Sequence, residues 1–379
     1  MRASWAYSIV LILATTHVRA GAAGPLSLTE RGAPTPSFTL LGDLPGGAFM
    51  SRATAVSADG STVVGYSTST ALNPAGSDEA FRWKDGQLLG LGGGSAMSGL
   101  YSRAVGVNET GSTVILNTLV FGLERALLWQ DGVMSTAFSE LSTAAGMATT
   151  GNYAVKSWLG AGVQSYIRSD FQTVQIPILP GGDHQGFGVQ VSAISSNGWS
   201  AIGKSDSAGN VIQSFRWKAG IGTTPIGFLP GCTNNEVTAI SGDGDLVVGY
   251  CTPDMGVGQL FRWTPATGIQ PFVDGIGAAA MSDDGSVMVG GNWIWDPEQG
   301  ARELMPLLSS WGVDLTGIFI LHATDISASG NVIVGNAEHV DGRIQAFRLV
   351  VPEPASAILL APMLMMLRRG AKDRRATKR

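Results

Sequence analysis

The chain of 379 residues has few charged residues, few histidines and only two cysteines, and each shortage excludes a class of protein. Only 14% of the residues are charged and 44% are apolar, which excludes a solvated, disordered chain. Apart from one near the N-terminus, the histidines are His184, His322 and His339, and they lack the two- or four-residue spacing of metal ligands. We therefore expect no metal or other cofactor. The same scarcity argues against a Ser-His-Asp hydrolase.

The apolar runs near the two chain ends are shorter than the roughly 20 residues of a membrane-spanning helix. At the N-terminus, Arg2 precedes an apolar run at positions 9–14, and the small-residue site Val18-Arg19-Ala20 follows. This order predicts a secretory signal peptide over residues 1–20. A short buried helix is the alternative interpretation. Export would place the mature protein in an oxidising compartment.

The C-terminal segment 351–379 combines a proline motif, an apolar run and a basic tail. Val351, Pro352, Glu353 and Pro354 are followed by the apolar stretch 356–367 and then by seven Lys or Arg residues. Four arginines of this basic tail are expected to stop translocation of the chain: Arg368, Arg369, Arg374 and Arg375. This order resembles the PEP-CTERM sorting signal. The resemblance implies transient anchoring in the inner membrane of a Gram-negative bacterium, processing by an exosortase and delivery to the cell surface or the extracellular matrix. Clustered cations would also resist translocation. A terminal helix with a basic tail is the alternative.

Charge separates the two ends of the chain from its middle. The whole chain has a net charge of −5, but nine of its 24 Lys and Arg residues lie in the two terminal segments. Residues 21–367 keep 15 basic and 28 acidic residues, a net charge near −13. A surface this acidic repels a polyanion, so we expect no nucleic-acid partner.

Glycine is abundant, with 52 residues, and it marks an internal repeat. Each unit has an alternating stretch such as Ala-Val-Ser, a turn glycine, a stretch such as Val-Val-Gly and a closing stretch such as Phe-Arg-Trp. The turn glycines recur with a mean spacing of 45 residues, at positions 60, 111, 151, 198, 244, 285 and 330. This period is typical of a four-stranded propeller blade. The Asp-Gly and Asn-Gly dipeptides suit hairpin turns with positive φ.

The two ends of the repeat region predict how the ring closes. Residues 37–41 form a strand-like stretch before the first hairpin, while the last unit stops after Phe347-Arg348-Leu349 without a fourth strand. Pairing of these ends would close the ring and leave no open sheet edge. We therefore predict an all-β, seven-bladed propeller over residues 36–350. The alternatives are six or eight blades, because the unit around Gly151 is degenerate, and a β-solenoid.

The repeats resemble the HAF family of extracellular repeats. The resemblance rests on Leu41-Gly42-Asp43-Leu44-Pro45-Gly46-Gly47 and on Ala80-Phe81-Arg82-Trp83. Together with the sorting signal, it implies a non-enzymatic surface or matrix protein of a biofilm-forming bacterium, with the propeller as an interaction or carbohydrate-binding platform. Exopolysaccharide and other surface proteins are the implied partners. A propeller hydrolase or lyase acting on exopolysaccharide and a self-associating surface-layer protein are the alternatives.

Two residue pairs are candidates for specific roles. Cys232 and Cys251 flank the hairpin strands around Gly244 and are expected nearly opposite each other, which favours a disulfide; two buried thiols are the alternative. Trp199 and Trp311 fall outside the repeated Trp positions and are candidates for stacking on sugar faces. The repeated tryptophans are expected to pack between blades. Acidic turn residues are expected to serve turn geometry, because each turn offers too few oxygens for calcium.

Overall fold

The structure, a computed structural model, describes residues 36–351 apart from positions 93–98, 121, 139–140, 159–161, 183–185, 210, 254–257 and 273–276. The predicted signal peptide, the Pro-Glu-Pro motif and the basic tail lie outside the described residues, as does His184. Val351 lies inside them. Its side chain is buried in the core of the last sheet, and its N–H donates to the Asn331 carbonyl at 2.9 Å.

The described chain forms seven antiparallel sheets of four strands each, arranged as a ring of blades. The prediction of a seven-bladed β-propeller is confirmed, and the six-blade, eight-blade and solenoid alternatives are wrong. Strand β1 (Ser37–Leu40) precedes the first complete blade. Blade 1 contains β2 (Ser51–Val56), β3 (Thr62–Ser69), β4 (Ser77–Lys84) and β5 (Gln87–Gly90). Blade 2 contains β6 (Gly99–Val107), β7 (Thr113–Val120), β8 (Leu123–Gln130) and β9 (Val133–Thr136). Blade 3 contains β10 (Ser142–Met147), β11 (Tyr153–Ser157), β12 (Gln164–Arg168) and β13 (Thr173–Gln175).

The degenerate third unit therefore forms a complete blade, and the later blades follow in chain order. Blade 4 contains β14 (Val189–Ile194), β15 (Ser200–Ser207), β16 (Val211–Lys218) and β17 (Gly222–Pro225). Blade 5 contains β18 (Cys232–Ile240), β19 (Val247–Pro253), β20 (Gln259–Thr264) and β21 (Gly268–Pro271). Blade 6 contains β22 (Ala280–Met281), β23 (Met288–Gly290), β24 (Trp293–Asp296) and β25 (Gly300–Glu303). The first strand of each blade borders the central channel.

Blade 7 closes the ring with strands from both ends of the described chain. It contains β26 (Ile318–Ile326), β27 (Val332–His339) and β28 (Ile344–Val350), and β1 adds its fourth strand. Strand β1 pairs antiparallel with β28, with Ser37 opposite Val350 and Leu40 opposite Phe347. The rings of Phe38 and Phe347 lie 5.3 Å apart between centroids. This closure is the one that the unequal ends of the repeat region predicted.

A side-chain hydrogen-bond pattern explains the repeated hairpin sequence. In blade 5 the Ser241 hydroxyl donates to Asp243 at 2.6 Å, and the Leu246 N–H donates back to Ser241 at 2.9 Å. The Ser241 hydroxyl and the Asp245 N–H together lower the pKa of Asp243. Blades 1 and 6 repeat the pattern with Ser57 and Ser282. The acidic turn residues therefore hold the hairpins in shape.

The turn glycine is required by both backbone conformation and space. Gly60 has φ +73°, and a Cβ there would lie 2.4 Å from a Val332 methyl carbon of the neighbouring blade. The turn glycines of the other blades also pack against the blade before them, except Gly151 of blade 3, where only the positive φ requires glycine.

The Phe-Arg-Trp stretch joins neighbouring blades. Its phenylalanines have no exposed surface and fill the blade cores: Phe81, Phe215, Phe261 and Phe347.

The arginine of the Phe-Arg-Trp stretch reaches into the next blade. Arg216 of blade 4 donates through Nε to the Gly244 carbonyl at 2.8 Å, pairs with Asp245, and lies 5.9 Å from the ring centroid of Trp263. Arg82 and Arg348 repeat the contact to a turn carbonyl and a tryptophan of the following blade. We call this contact the arginine latch.

Replacing Arg216 by alanine should lower the free energy of unfolding by about 1–2 kcal/mol, because a charged hydrogen bond and a cation–π contact are lost from a buried side chain. Arg262→Ala is the matched control. Arg262 occupies the same position in blade 5, but it is exposed and makes none of the latch contacts with described residues. Urea unfolding of both variants measures the difference. Equal losses would show that the latch contributes nothing specific.

The repeated tryptophans pack between neighbouring blades as predicted. Trp129, Trp217 and Trp263 keep at most 7% of their surface exposed, whereas Trp83 and Trp295 are half-buried.

One helix, α1 (Leu304–Ser310), interrupts the all-β pattern, and no sequence motif predicted it. It lies between β25 and β26, and Leu304 and Leu308 point one turn apart into the core of blades 6 and 7. Across the described ranges, no helix has the length and apolar character needed to cross a membrane.

Cys232 and Cys251 form a disulfide within blade 5, with their Cα atoms 5.9 Å apart. They lie nearly opposite each other, as the sequence predicted. Cys251 pairs with Asn235 and Cys232 pairs with Pro253, and two bulges in β18 bring the cysteines closer to opposite positions than the register at the hairpin turn alone would. The bridge therefore runs diagonally between the two strands.

Candidate functional site

The central channel has a polar mouth on the side from which the first strands run toward their hairpin turns. We call this end the loop-side mouth, and the opposite end, where the hairpin turns lie, the turn side. The equivalent positions at the mouth are occupied by Arg52, Arg103, Thr143, Gln190, Glu236, Gly277 and His322. In five blades the carbonyl of this residue fills the space over a glycine of the second strand, as Arg52 does over Gly65. This close approach explains the repeated glycine of the Val-Val-Gly stretch.

The turn side of the channel is narrow and presents both polar and apolar groups, with Thr149, Ser196 and Asp283 among the polar ones. An apolar ring of branched or sulfur-containing side chains also lines it: Val56, Val107, Met147, Ile194, Ile240, Met281 and Ile326. Neighbouring turns are joined by backbone hydrogen bonds, such as the Thr149 N–H to the Ser196 carbonyl at 3.2 Å and the Asp283 N–H to the Ala328 carbonyl at 3.0 Å. The cavity here has a volume of about 180 Å³. That is below the roughly 300 Å³ at which ligand pockets begin, so this cavity is too small to enclose a sugar chain.

One carboxylate breaks the pattern of small residues along the channel. In each first strand, one residue comes immediately before the residue of the apolar ring. From blade 1 to blade 7 these preceding residues are Ala55, Gly106, Gly146, Ala193, Ala239, Ala280 and Asp325. Asp325 lines the cavity, and its Oδ2 accepts a hydrogen bond from the Val56 N–H of blade 1 at 2.8 Å. Burial raises the pKa of Asp325 to about 6, against the lowering effect of the Val56 and Ile326 N–H groups.

Arg103 is the centre of a polar and aromatic cluster at the loop-side mouth, where blades 1 and 2 meet. Its guanidinium carbon lies 4.9 Å from the Tyr66 ring centroid and 5.1 Å from that of Tyr101. The same guanidinium pairs with Asp78 at 2.5 Å, and Tyr101 donates to Glu124 at 3.0 Å. Half of the Arg103 side chain is exposed. The cluster therefore offers both charge and aromatic surface to a ligand.

A second cluster lies on the other side of the mouth, in blades 4 and 5. The Tyr250 hydroxyl donates to Glu236 at 2.8 Å, and the Lys204 ammonium lies 3.7 Å from the same carboxylate. The Glu236 hydrogen bond, with burial, raises the pKa of Tyr250. Tyr250 keeps 38% of its surface exposed. An exposed aromatic side chain beside a carboxylate and an ammonium can stack on a sugar and bond its hydroxyl groups.

The mouth differs from the rest of the molecule because its residues do not repeat. The core phenylalanines and the turn glycines recur from blade to blade, since each blade needs the same packing. At the mouth the blades carry different charged, polar or aromatic groups, as the contrast of Arg52, Glu236 and His322 shows. A search for repeats passes over such positions. Aligning the units on the second-strand glycine and asking where they differ would have found them.

The two predicted sugar-stacking tryptophans do not share a surface. Trp199 is half-buried in the hairpin turn between β14 and β15, on the turn side. Trp311 follows α1, before β26 begins, and packs partly against the core of blade 7. First strands run from the loop side to the turn side, so these two residues lie at opposite ends of the propeller. Neither belongs to the mouth clusters.

Among the residues with described positions, no group of three or more His, Cys, Asp or Glu side chains is placed to hold a metal ion. His322 contacts Glu338, with 3.5 Å between Nε2 and Oε1, and His339 lies at the far end of β27. The two histidines therefore lie at different positions in blade 7.

No protein-family model matches the chain, and no curated protein matches it. Solved structures do match. The β-propeller domain of the Trilobed protease from Pyrococcus furiosus, which has an open velcro topology, is 8% identical with a TM-score of 0.52; the match covers 79% of this chain and 95% of that one. TolB from Acinetobacter baumannii is 14% identical with a TM-score of 0.45 over 77% of this chain, and the match spans 64% of TolB, less than two thirds of its length. Oligogalacturonate lyase from Vibrio parahaemolyticus is 8% identical with a TM-score of 0.48, over 85% of this chain and 98% of that one. At these identities the likeness shows the propeller fold alone.

Proposed function

We propose that this protein is an exported, non-enzymatic propeller of a bacterial cell surface or extracellular matrix, and that its loop-side mouth binds carbohydrate polymers. The observation that carries the proposal is the mouth itself. It combines exposed tyrosine, carboxylate and cationic groups that differ from blade to blade, in a molecule whose other positions repeat. Aromatic faces and charged hydrogen-bonding groups are the chemistry that sugar rings and hydroxyls require.

A glycan array tests the proposal with single substitutions. Tyr250→Ala should weaken binding of the bound glycan by about three- to tenfold, because an aromatic stacking surface is lost. Trp199→Ala and Trp311→Ala, at the two positions that sequence alone favoured, should leave binding unchanged. Tyr250→Phe separates the ring from its hydroxyl. If Trp199→Ala abolishes binding while Tyr250→Ala does not, the ligand lies on the turn side and the mouth is the wrong site.

The second part of the proposal concerns delivery. The order of Pro352, Glu353, Pro354, apolar segment and basic tail supports processing by an exosortase-type enzyme after transient anchoring in the inner membrane. Replacing the three motif residues by alanine should cause an unprocessed, membrane-bound form to accumulate. Mass spectrometry of the C-terminus and membrane fractionation measure this. Substituting Arg374 and Arg375 by glutamine, which keeps the motif, is the comparison. Release of an identical C-terminus from the motif variant would refute the sorting proposal.

A further inference from the structure

Two cations at the loop-side mouth have no hydrogen-bond or ion-pair partner among the described residues. Arg52, in blade 1, and Lys156, in blade 3, make no hydrogen bond and no ion pair with any residue whose position the structure describes. Both side chains are half-buried. Cations in this condition have given up part of their hydration without gaining a counter-ion, which is unfavourable unless a ligand supplies the anion.

The Arg103 cluster connects these two cations. Arg52 is directly opposite Tyr66 on the neighbouring strand, and such partners have side chains about 5 Å apart on one face. The Arg103 guanidinium covers both Tyr66 and Tyr101. Tyr101 donates a hydrogen bond to Glu124, and the negative charge of Glu124 acts to raise the pKa of Lys156. The mouth of blades 1 to 3 therefore carries a strip of side chains that comprises, in order, Arg52, Tyr66, Arg103, Tyr101, the carboxylate of Glu124 and Lys156, with Asp78 paired to Arg103.

The carboxylates in this strip are already engaged. Asp78 accepts from both Nε and a terminal nitrogen of Arg103, at 2.7 and 2.5 Å. Glu124 accepts from the Tyr101 hydroxyl. Burial lowers the pKa of Lys156, and the more distant Glu124 only partly offsets this. Arg52 and Lys156 are thus the two places in the strip where an added anion would gain most.

We propose that the mouth of blades 1 to 3 binds a polysaccharide that carries carboxylate groups, such as a polyuronate, with Arg52 and Lys156 each pairing a sugar carboxylate. This inference rests on the proposed carbohydrate-binding function and assigns its ligand class. Arginine presents a planar fork that fits a carboxylate, and the tyrosines between the cations offer surface to sugar rings. A single small anion would satisfy one cation, whereas a polymer with carboxylates at regular intervals satisfies both. The net charge near −13 of residues 21–367 disfavours a nucleic acid in this position.

The test uses the purified full-length protein and three polymers of matched length: polygalacturonate, uncharged dextran and the oligonucleotide poly(dT). Isothermal titration calorimetry should detect binding to polygalacturonate that weakens between 50 and 500 mM NaCl, since salt screens charge pairs. Arg52→Gln and Lys156→Gln should each weaken this binding by about tenfold, because each removes a charged hydrogen bond. Arg262→Gln removes an exposed cation at a latch position away from the mouth, and it should leave binding unchanged.

The outcomes separate this inference from the function on which it rests. If the protein binds dextran as well as polygalacturonate, and neither Gln variant weakens binding, the carboxylate assignment is wrong while carbohydrate binding stands. If poly(dT) binds as tightly as polygalacturonate, the strip is a general polyanion site and the assignment is also wrong. If no polysaccharide binds, both proposals fall. Circular dichroism of each variant confirms that a loss of binding does not come from unfolding.

Discussion

A chain that begins at Leu41, and so lacks β1, is expected to lose about 3 kcal/mol of unfolding free energy and to self-associate. Strand β1 half-buries Phe38 and Leu40 against the core of blade 7, and fully burying one apolar side chain contributes about 1.5–3 kcal/mol. Its backbone also pairs with β28 along four residues. Without it, β28 becomes an unpaired edge that can pair with another molecule.

Thermal unfolding and light scattering measure this prediction. A chain that begins at Pro36 keeps β1 and removes only residues outside the described structure, so it should match the full-length protein in both measurements. If the two truncated chains unfold at the same temperature and both remain monomeric, closure by β1 contributes little, and the propeller is held by the other contacts between its blades.

The Asp325→Asn variant should be more stable than the parent protein by about 2–3 kcal/mol at pH 8, and nearly equal to it at pH 4. Folding raises the pKa of Asp325 from 3.8 to about 6, and each pKa unit corresponds to about 1.4 kcal/mol. Asparagine carries no charge to bury, and its side-chain oxygen can still accept the Val56 N–H. The substitution therefore keeps the contact between blades 7 and 1 and removes the cost of burying the charge.

The direction of the pH effect follows from proton binding. Between about pH 4 and pH 6 the folded protein holds the Asp325 proton more firmly than the unfolded chain does, so this group's contribution to stability falls as pH rises through that window. Carboxylates with lowered pKa, such as Asp243 and Asp284, act in the opposite direction at lower pH. The difference between variant and parent, measured by urea unfolding from pH 4 to 8, isolates Asp325. A difference that does not change with pH would show that Asp325 stays hydrated in the channel.

The architecture was predictable because its causes repeat along the chain. Every blade needs a turn residue with positive φ and a residue that fills the blade core, so Gly60 and Phe81 have counterparts at regular spacing. Ring closure was predictable because the last repeat lacks a strand that the start of the region supplies. These features are local or periodic, and a single sequence displays both.

The candidate site was not predictable in the same way. Arg103 meets Tyr66, and Lys204 meets Glu236, only when neighbouring blades pack around the channel, and none of these residues belongs to a repeated motif. Sequence reasoning instead selected Trp199 and Trp311 because large aromatics are conspicuous, and the fold places them at opposite ends. Helix α1 was missed because its apolar signal, Leu304 and Leu308, is only one turn long. The cysteines were predictable as near neighbours because they flank one hairpin, whereas the bulges in β18 that bring them closer together cannot be counted from their spacing.

The position of a bound sugar chain tests the central claim most directly. A crystal structure of the protein with an oligogalacturonate should show the sugar at the loop-side mouth, with its carboxylates beside Arg52 and Lys156 and its rings near Tyr66 and Tyr101. Sugar bound on the turn side near Trp199, or on the outer strands of the blades, would contradict the assignment of the mouth as the binding site.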